Sequence, residues 1–403
     1  MIKTAQATDI LYMRRHLGTI LPVLIIMPLW LIWQGNTLWA EQMYSPSWGF
    51  QIDLPEGYQY IGGNAFDTFS FEGPSNAMFD MRVYSDRYAS IEQVAIDVNK
   101  RIANNIDADS EVYYLDYQGR EAAIFELAFN GFEGIALCLT LEDTSSNPSA
   151  QAPPILLALA YAPEGTENVD LLHFSALNSI APTESDARYP GPMMAFAYDR
   201  GEAVETPLAA LGITAMVREG DAEAAQALVD NEYLTLSLYE DSDLWQEAWT
   251  RFFRAIYRDS WDRIGDAASR IEEKLIGDDD SAFAQNVLSF VQGFAYERDL
   301  DGSDFVNLVS AVTEGRGDCD SRAMLWAVIL ARANIRSAIM VSRTYSHAMG
   351  LVDIPDGTGS QAGARFVWDG TDWLVAETTA PVELGRIAQS KSGKDGWIGV
   401  LFD

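Results

Sequence analysis

The segment 315–334 constrains the fold more than any other part of the chain. It predicts a helix that begins near Cys319, is capped by Asp318 or its neighbourhood, and ends at Asn334, a residue that tolerates the left-handed backbone of a helix C-terminus. Nearly every face of this helix is apolar, through Ala323, Met324, Trp326, Ala327, Val328, Leu330 and Ala331. Because a helix that is apolar all round has to be buried, we expect it at the centre of a domain.

The start of this helix also carries candidate catalytic chemistry. A thiol at Cys319, after a Gly-rich turn, would feel the positive end of the helix dipole, which favours the thiolate. His347 and then Glu377 follow along the chain, each beside apolar, strand-like sequence. This order fits an activated-thiol triad of nucleophile, proton-transfer group and orienting carboxylate. Gln292, on a predicted upstream helix, could donate a hydrogen bond to a developing oxyanion.

Composition narrows the possible functions. The net charge of −32 argues against nucleic-acid binding, which needs basic patches, and against loose docking on anionic lipid. The chain has only two cysteines, Cys138 and Cys319, which excludes a disulfide framework and a four-ligand Cys/His zinc site. Its three histidines, His16, His173 and His347, are scattered, so we expect no metal and no cofactor.

The N-terminal region, 1–42, predicts export. Arg14 and Arg15 precede an uncharged run, 17–33, that would be about 26 Å long as a helix, close to the thickness of a bilayer's hydrocarbon core. Basic residues on that side hold this end in the cytoplasm and place the rest of the chain in the cell envelope or periplasm. The run is either an uncleaved single-span anchor or a signal peptide cleaved near Ala40, with a buried soluble helix as a third alternative.

The region 45–185 predicts an α+β domain, an antiparallel sheet with helices packed on it. Apolar residues alternate over 50–54, as in a half-buried strand. Further strands are predicted at 79–83, 111–118, 122–129, 134–141 and 155–161, and helices from 91 and over 169–180. The opening strand and turn, the strands, the mid-domain helix and the closing helix resemble the Mog1/PsbP-like sandwich. We expect a binding or docking module in which Cys138 and His173 are packing residues.

The region 186–282 predicts a mostly helical connector, which opens on a Pro-Gly-Pro linker. Its helices are predicted at 222–229, 244–257 and 261–276. A helix over 283–295 begins the C-terminal domain, 283–403, in which one buried helix precedes a small antiparallel sheet. The strands of that sheet are predicted at 337–345, 347–354, 364–368 and 373–378.

Five segments of the C-terminal domain resemble the transglutaminase-like (papain-superfamily) cysteine domain. They are Phe-Val-Gln-Gly-Phe-Ala-Tyr-Glu-Arg-Asp at 290–299, Gly-Asp-Cys-Asp-Ser-Arg-Ala at 317–323, Ala-Arg-Ala-Asn-Ile-Arg-Ser-Ala at 331–338, Tyr-Ser-His-Ala-Met at 345–349 and Trp-Leu-Val-Ala-Glu-Thr-Thr at 373–379. The resemblance spans about 283–381 of the sequence. It implies that Cys319 is the nucleophile, His347 the base and Gln292 the oxyanion-stabilising residue.

The acid of the triad departs from the family pattern. Glu377 stands where the family usually has aspartate before Pro-Thr, and its extra methylene could shift its hold on the imidazole by about 1 Å, a displacement that lowers rates. Asp369 and Asp372 are the substitute candidates, although they fall in a predicted hairpin turn.

Together these features predict an exported or membrane-anchored transglutaminase-like cysteine enzyme. It would act on peptide or amide bonds of a protein or peptide substrate in the cell envelope, through a thioester that water or an amine resolves, as a peptidase or a transamidase. The alternative is a catalytically inactive cell-envelope binding or scaffold protein, which the Glu377 departure and the large N-terminal domain favour. The histidine count disfavours a metal-dependent hydrolase, and fold alone does not choose the substrate.

Overall fold

The structure is a computed structural model of the chain. It describes residues 42–101, 111–142, 152–208, 211–277, 279–298, 303–354 and 363–402. The predicted export run and its cleavage point lie outside these residues. Within the described ranges, no helix is both long and apolar enough to cross a membrane. All of these residues belong to one contact unit, Leu38–Asp403.

A large antiparallel sheet forms the N-terminal half. Its strands, and the short pair that precedes it, are β1 (Met43–Tyr44), β2 (Gln51–Ile52), β3 (Gln59–Gly63), β4 (Thr68–Glu72), β5 (Met78–Tyr84), β6 (Val112–Tyr117), β7 (Arg120–Phe129), β8 (Phe132–Thr140) and β9 (Ile155–Pro163). Seven of them are ordered β3-β4-β5-β9-β8-β7-β6. In β5 the side chains of Phe79, Met81 and Val83 are buried and those between them are half-buried, so the predicted alternation is confirmed.

One helix covers each face of this sheet. Helix α1 (Ile91–Arg101) packs its apolar side on β7 and β8, in a cluster that includes Cys138, which is fully buried as predicted. Helix α2 (Val169–Asn178) packs on the opposite face, against the side that carries Phe79 and Met81. The predicted α+β class is therefore confirmed.

The middle of the chain contains more than helices. Its elements are α3 (Pro192–Ala197), β10 (Ala203–Leu208), β11 (Ile213–Arg218), α4 (Asp221–Ser237), α5 (Trp245–Arg263), α6 (Gly265–Lys274) and α7 (Asp280–Gln292). The sequence analysis missed the antiparallel hairpin β10–β11, whose strands are half exposed and carry only a weak apolar alternation. The second predicted helix, 244–257, was also too short. Helix α5 continues to Arg263 and ends at Ile264.

Helix α5 joins the two halves of the molecule. Its buried Arg251 donates to Glu232 on α4 (2.9 Å) and to Glu56 (3.2 Å), which follows β2. Arg254 forms two hydrogen bonds with Asp53, at 2.8 and 2.9 Å. The opposite side of α5 places Phe252, Phe253 and Ile256 in the core of the C-terminal half.

The C-terminal half is built around one buried helix. Its elements are β12 (Ala295–Tyr296), α8 (Leu308–Glu314), β13 (Arg316–Gly317), α9 (Cys319–Arg332), β14 (Ser337–Ser342), β15 (His347–Val352), β16 (Arg365–Trp368), β17 (Thr371–Ala376) and β18 (Ile398–Val400). Helix α9 lies between the antiparallel sheet β16-β17-β15-β14-β18 and helices α5 to α8. Trp326 on α9 is fully buried and donates through Nε1 to the carbonyl of Ala284 (3.0 Å), so the predicted central helix is confirmed.

Buried His173 predicts a pH-dependent stability. The side chain, on α2, is 0% exposed, and neither ring nitrogen makes a hydrogen bond of normal geometry. Burial lowers the pKa of His173, and the Asp170 carboxylate, the Tyr161 backbone and Glu133 offset only part of that effect. The unfolded chain, with a histidine pKa of about 6.5, then binds the proton better, so stability falls as the pH drops below that value.

We expect the wild type to lose about 1 kcal/mol more stability than His173→Phe between pH 7.5 and pH 5.5. Urea unfolding at the two pH values measures the difference, and every other titrating group is common to both proteins. Equal losses in the two proteins would contradict the assignment of this effect to His173.

Candidate active site

Two glycine turns bring Cys319 to the first position of α9. Gly315 has φ +67° and ψ 42°, the left-handed conformation that ends α8. Gly317 has φ +156°, and a Cβ there would come within 3.0 Å of the Ser321 side chain. Asp318 then caps α9 as predicted, because its carboxylate accepts a 2.8 Å hydrogen bond from the backbone N–H of Ser321.

The thiol of Cys319 is only 7% exposed and is flanked by carboxyl groups. Its Sγ donates to Oδ1 of Asp320 (3.3 Å), and the backbone N–H of Ala348 donates to Sγ. Burial first, and then the charges of Asp320 and Asp318, raise the pKa of the thiol well above its usual range, and the Ala348 N–H offsets only part. The expected preference for thiolate is therefore wrong, because desolvation and two adjacent carboxylates outweigh the helix dipole.

His347 and Glu377 form a buried pair at one end of two inner strands of the C-terminal sheet. His347 is the first residue of β15, and Glu377 directly follows β17, the strand paired with β15. Nε2 of the imidazole lies 2.9 and 3.1 Å from the two carboxylate oxygens, and the side chains are 8% and 5% exposed. Since Nε2 is engaged, Nδ1 is the ring nitrogen left for proton transfer. The extra methylene of glutamate is accommodated in this contact.

Further donors hold Glu377 in its ionised form. The backbone N–H and the hydroxyl of Thr379 donate to Oε1 at 2.9 and 2.5 Å, and Nζ of Lys391 lies 3.3 Å from Oε2. Burial by itself would raise the pKa of Glu377, but the hydrogen bond and charge of His347 and the Thr379 donors outweigh burial and lower the pKa to about 2. The resulting carboxylate can orient the imidazole and stabilise its protonated form.

Gln292 lies beside this pair, at the end of α7. Its Nε2 donates to the backbone carbonyls of Glu377 and Val382, both at 2.9 Å. These two bonds fix the segment that follows β17 and so position the Glu377 side chain. The oxyanion role stays a prediction, and it would require one of these hydrogen bonds to open.

The two substitute acids lie away from the imidazole. Asp369 is in the turn between β16 and β17, with φ +46°, and Asp372 is on β17 with a carboxylate 3.8 Å from Arg365. Within the described residues, neither side chain is hydrogen-bonded to His347. Glu377 is therefore the acid that the structure brings to the histidine.

Neither models of known protein families nor curated proteins match this chain. The chemistry assigned to the site therefore depends on its own geometry. Glu377 is hydrogen-bonded to His347, and the N–H of Ala348, the residue after His347, contacts the Cys319 sulfur.

Tyr296 is a site residue that the sequence analysis did not single out. The parallel pairing of β12 with β13 sets it opposite Gly317, and its hydroxyl is within hydrogen-bonding reach of the Cys319 sulfur. Burial, followed by the charge that Cys319 carries once it is ionised, raises the pKa of Tyr296 to about 12, so the hydroxyl keeps its proton at neutral pH. Its place in the segment 290–299, close before the cysteine, was the available signal.

Lys391 and Trp397 complete the surroundings of the pair. Trp397 sets its ring edge-on to His347, with centroids 6.3 Å apart, and donates through Nε1 to the backbone carbonyl of Lys391 (3.0 Å). No short motif connects these two residues to the histidine, because the contact arises when β18 pairs with β14.

Three neighbouring side chains have the donor atoms that a metal ion would use. One oxygen or sulfur from each of Asp318, Cys319 and Asp320 lies within 4.8 Å of the others. Asp318 already accepts from both the backbone and the hydroxyl of Ser321 as the cap of α9. We assign no metal to this group.

Proposed function

We propose that the chain is a transglutaminase-like cysteine enzyme that forms a thioester on Cys319 from a peptide or amide carbonyl. The observation that carries this proposal is the buried pair of His347 and Glu377, held at 2.9 and 3.1 Å. The pair adjoins Ala348, whose N–H contacts the Cys319 sulfur. The resemblance of the C-terminal segments to that family supports the same assignment.

Each residue of the site is proposed to have one role in the reaction. Sγ of Cys319 attacks the carbonyl carbon while its proton passes to Nδ1 of His347, and Glu377 stabilises the imidazolium. The Ala348 N–H and the Tyr296 hydroxyl, both beside Sγ, are proposed as donors for the oxygen that gains negative charge. The C–N bond then breaks, and the amine leaves with the proton from His347. Water or a second amine resolves the thioester and returns a proton to Sγ.

The raised pKa of Cys319 determines when its proton moves. Since burial and the charges of Asp320 and Asp318 disfavour a resting thiolate, the proton has to leave during the attack. His347 is therefore proposed as a true general base, with the carboxylate of Glu377 behind it, rather than as the cation of a preformed ion pair.

The setting of the reaction is proposed from the N-terminal sequence. The uncharged run 17–33 supports export, with anchoring or cleavage near Ala40 as alternatives, and hence a protein or peptide substrate in the cell envelope. The region 45–185 is proposed as a docking module resembling the Mog1/PsbP-like sandwich, and its sheet with a helix on each face supports that assignment.

An activated ester tests the proposal without knowledge of the substrate. We expect p-nitrophenyl acetate to acetylate Cys319 and release p-nitrophenolate in a burst that Cys319→Ala abolishes. His347→Ala should slow the acetylation by about 10²- to 10⁴-fold, the usual loss when a general base is removed. Peptide mass spectrometry locates the acetyl group, and fully buried Cys138 is the control thiol in the same chain.

Two outcomes would reject the enzyme. One is the absence of an acetyl group on Cys319 in the wild type. The other is an equal rate of acetylation in His347→Ala, which would mean that the thiol reacts unassisted. Either result favours the catalytically inactive binding or scaffold protein.

A further inference from the structure

A cavity of about 280 Å³ opens beside the candidate nucleophile. Its walls come from the end of α4, the start of α5 and the segment 303–305, and its lining includes Asp320 of α9 and Arg343 between β14 and β15. This volume is slightly below that of most small-molecule pockets, which suits one side chain rather than a length of peptide.

The cavity is open to solvent and is lined by a carboxyl that contacts the candidate nucleophile. Glu240 and Arg343 are at its mouth, with side chains 71% and 55% exposed. Phe252 and Phe305 line its interior and are 4% and 2% exposed. Asp320 lines it too, with Oδ1 3.3 Å from the Cys319 sulfur. A group seated in the cavity is therefore separated from the nucleophile by a single carboxyl.

The lining carries more negative than positive charge. Its acids are Glu240, Asp304 and Asp320, and its one basic residue is Arg343. Arg343 lies 3.4 Å from the Glu240 carboxylate, and Asp304 accepts from Arg298, which lies outside the lining, at 2.9 Å. Among the described residues, no ion pair involves Asp320. Asp320 thus has no ion-pair partner in the described part of the chain, and the charge of Arg298 acts on it only from a greater distance.

The aromatic lining offers a surface for a positive charge. The Arg343 guanidinium covers the Trp245 ring at 5.3 Å, which shows that the cavity mouth already accommodates a cation on an indole. Trp249, one turn further along α5, lines the same cavity, and in the described part of the chain no arginine or lysine covers its ring. An indole face and an unpaired carboxyl together recognise an ammonium or guanidinium group.

We propose that this cavity binds the cationic side chain, lysine or arginine, of the peptide that acylates Cys319. The inference rests on the proposed function, because it names the class of substrate that the same site takes. A cation beside Asp320 would also compensate a carboxyl whose pKa is raised by burial and by the neighbouring charge of Asp318. It would thereby reduce the electrostatic penalty on ionising the adjacent thiol.

Binding of small probes to a variant that lacks the nucleophile tests the cation site separately from the reaction. The probes are N-acetyl-arginine amide and its neutral isostere N-acetyl-citrulline amide, with the lysine and norleucine amides as a second pair. Titration calorimetry uses the full chain carrying Cys319→Ala. We expect each cationic probe to bind at least about 10-fold more tightly than its neutral partner. Asp320→Asn and, separately, Trp249→Leu should reduce that ratio to about 3-fold or less.

Asp372→Asn is the matched control, since this carboxylate is 57% exposed on β17 and should leave the ratio unchanged. Equal affinity for charged and neutral probes, tighter binding of norleucine amide, or a ratio that survives Asp320→Asn would each overturn the inference. Selective binding without acetylation of Cys319 in the wild type would reject the enzyme and keep the cation site. Acetylation without charge selectivity would reject the cation site alone.

Discussion

Glu377→Gln is expected to slow the acetylation of Cys319 by about 10²- to 10⁴-fold. The substitution keeps the size of the side chain but removes the negative charge that stabilises protonated His347. The carboxylate oxygens that accept from Nε2 now lie at 2.9 and 3.1 Å, and the substitution replaces one of them by an N–H₂ group. Because this group donates, it favours the tautomer that carries the proton on Nδ1, the nitrogen that has to accept the thiol proton. Rapid-mixing measurement of p-nitrophenolate release from pH 6 to pH 9 reports the loss.

Glu377→Asp is the informative companion variant. It retains the charge and provides the acid usual in the resembling family. It also shortens the reach to the imidazole and to Thr379, whose hydroxyl donates to the Glu377 carboxylate. We expect a loss smaller than that of Glu377→Gln. A Glu377→Gln protein as fast as the wild type would show that the carboxylate has no part in proton transfer.

The largest loss of stability is expected from Arg251→Met, which should lower the free energy of unfolding by about 3–5 kcal/mol. The guanidinium is 2% exposed and donates to Glu232 at 2.9 Å, Ser175 at 2.7 Å and Glu56 at 3.2 Å. Removing it leaves the Glu232 carboxylate buried without its cation, and an unpaired buried charge costs far more than an exposed pair contributes. Equilibrium urea unfolding followed by circular dichroism measures the change.

Two variants separate the charge effect from lost packing. The double variant Arg251→Met with Glu232→Gln should recover part of the stability, because the orphaned charge is removed. Arg254→Met, which breaks a pair with Asp53 whose side chains are 23% and 20% exposed, should cost about 1 kcal/mol or less. A cost below about 1 kcal/mol for Arg251→Met would mean that water reaches this group freely.

The fold was predictable where burial leaves a local pattern. Apolar residues on every face of α9 required a central helix, and alternation along β5 required a sheet with a covered face. The hairpin β10–β11 has mostly exposed side chains and left little such pattern. The pairing of β18 with β14 joins segments about 60 residues apart, which no local periodicity encodes.

The candidate site also has features that the sequence predicted and features that it did not. The order of cysteine, histidine and acid is visible along the chain, and the structure joins His347 to Glu377 directly. The state of the thiol was mispredicted because a sequence shows the helix start but not how deeply Cys319 is buried or how close the carboxyl groups of Asp320 and Asp318 lie to it. Lys391 reaches Glu377 from a short 3₁₀ helix, Gln389–Lys391, that is separate in the chain from β17, so nothing local to either residue predicted the contact.

The sharing of α5 between the two halves has a consequence for how such a chain can be recombined. Arg251 pairs with Glu56 across 195 positions of sequence, and Arg258 donates to the carbonyls of Asn178, Ser179 and Ile180 at the end of α2. Consider a hybrid that joins the first half of this chain, at the Pro-Gly-Pro linker, to the second half of a divergent homologue. The arginines of α5 and the residues that they contact would then come from different proteins and would no longer match. The two halves are thus expected to be inherited as one block, with the crossover points that preserve folding lying outside 53–258.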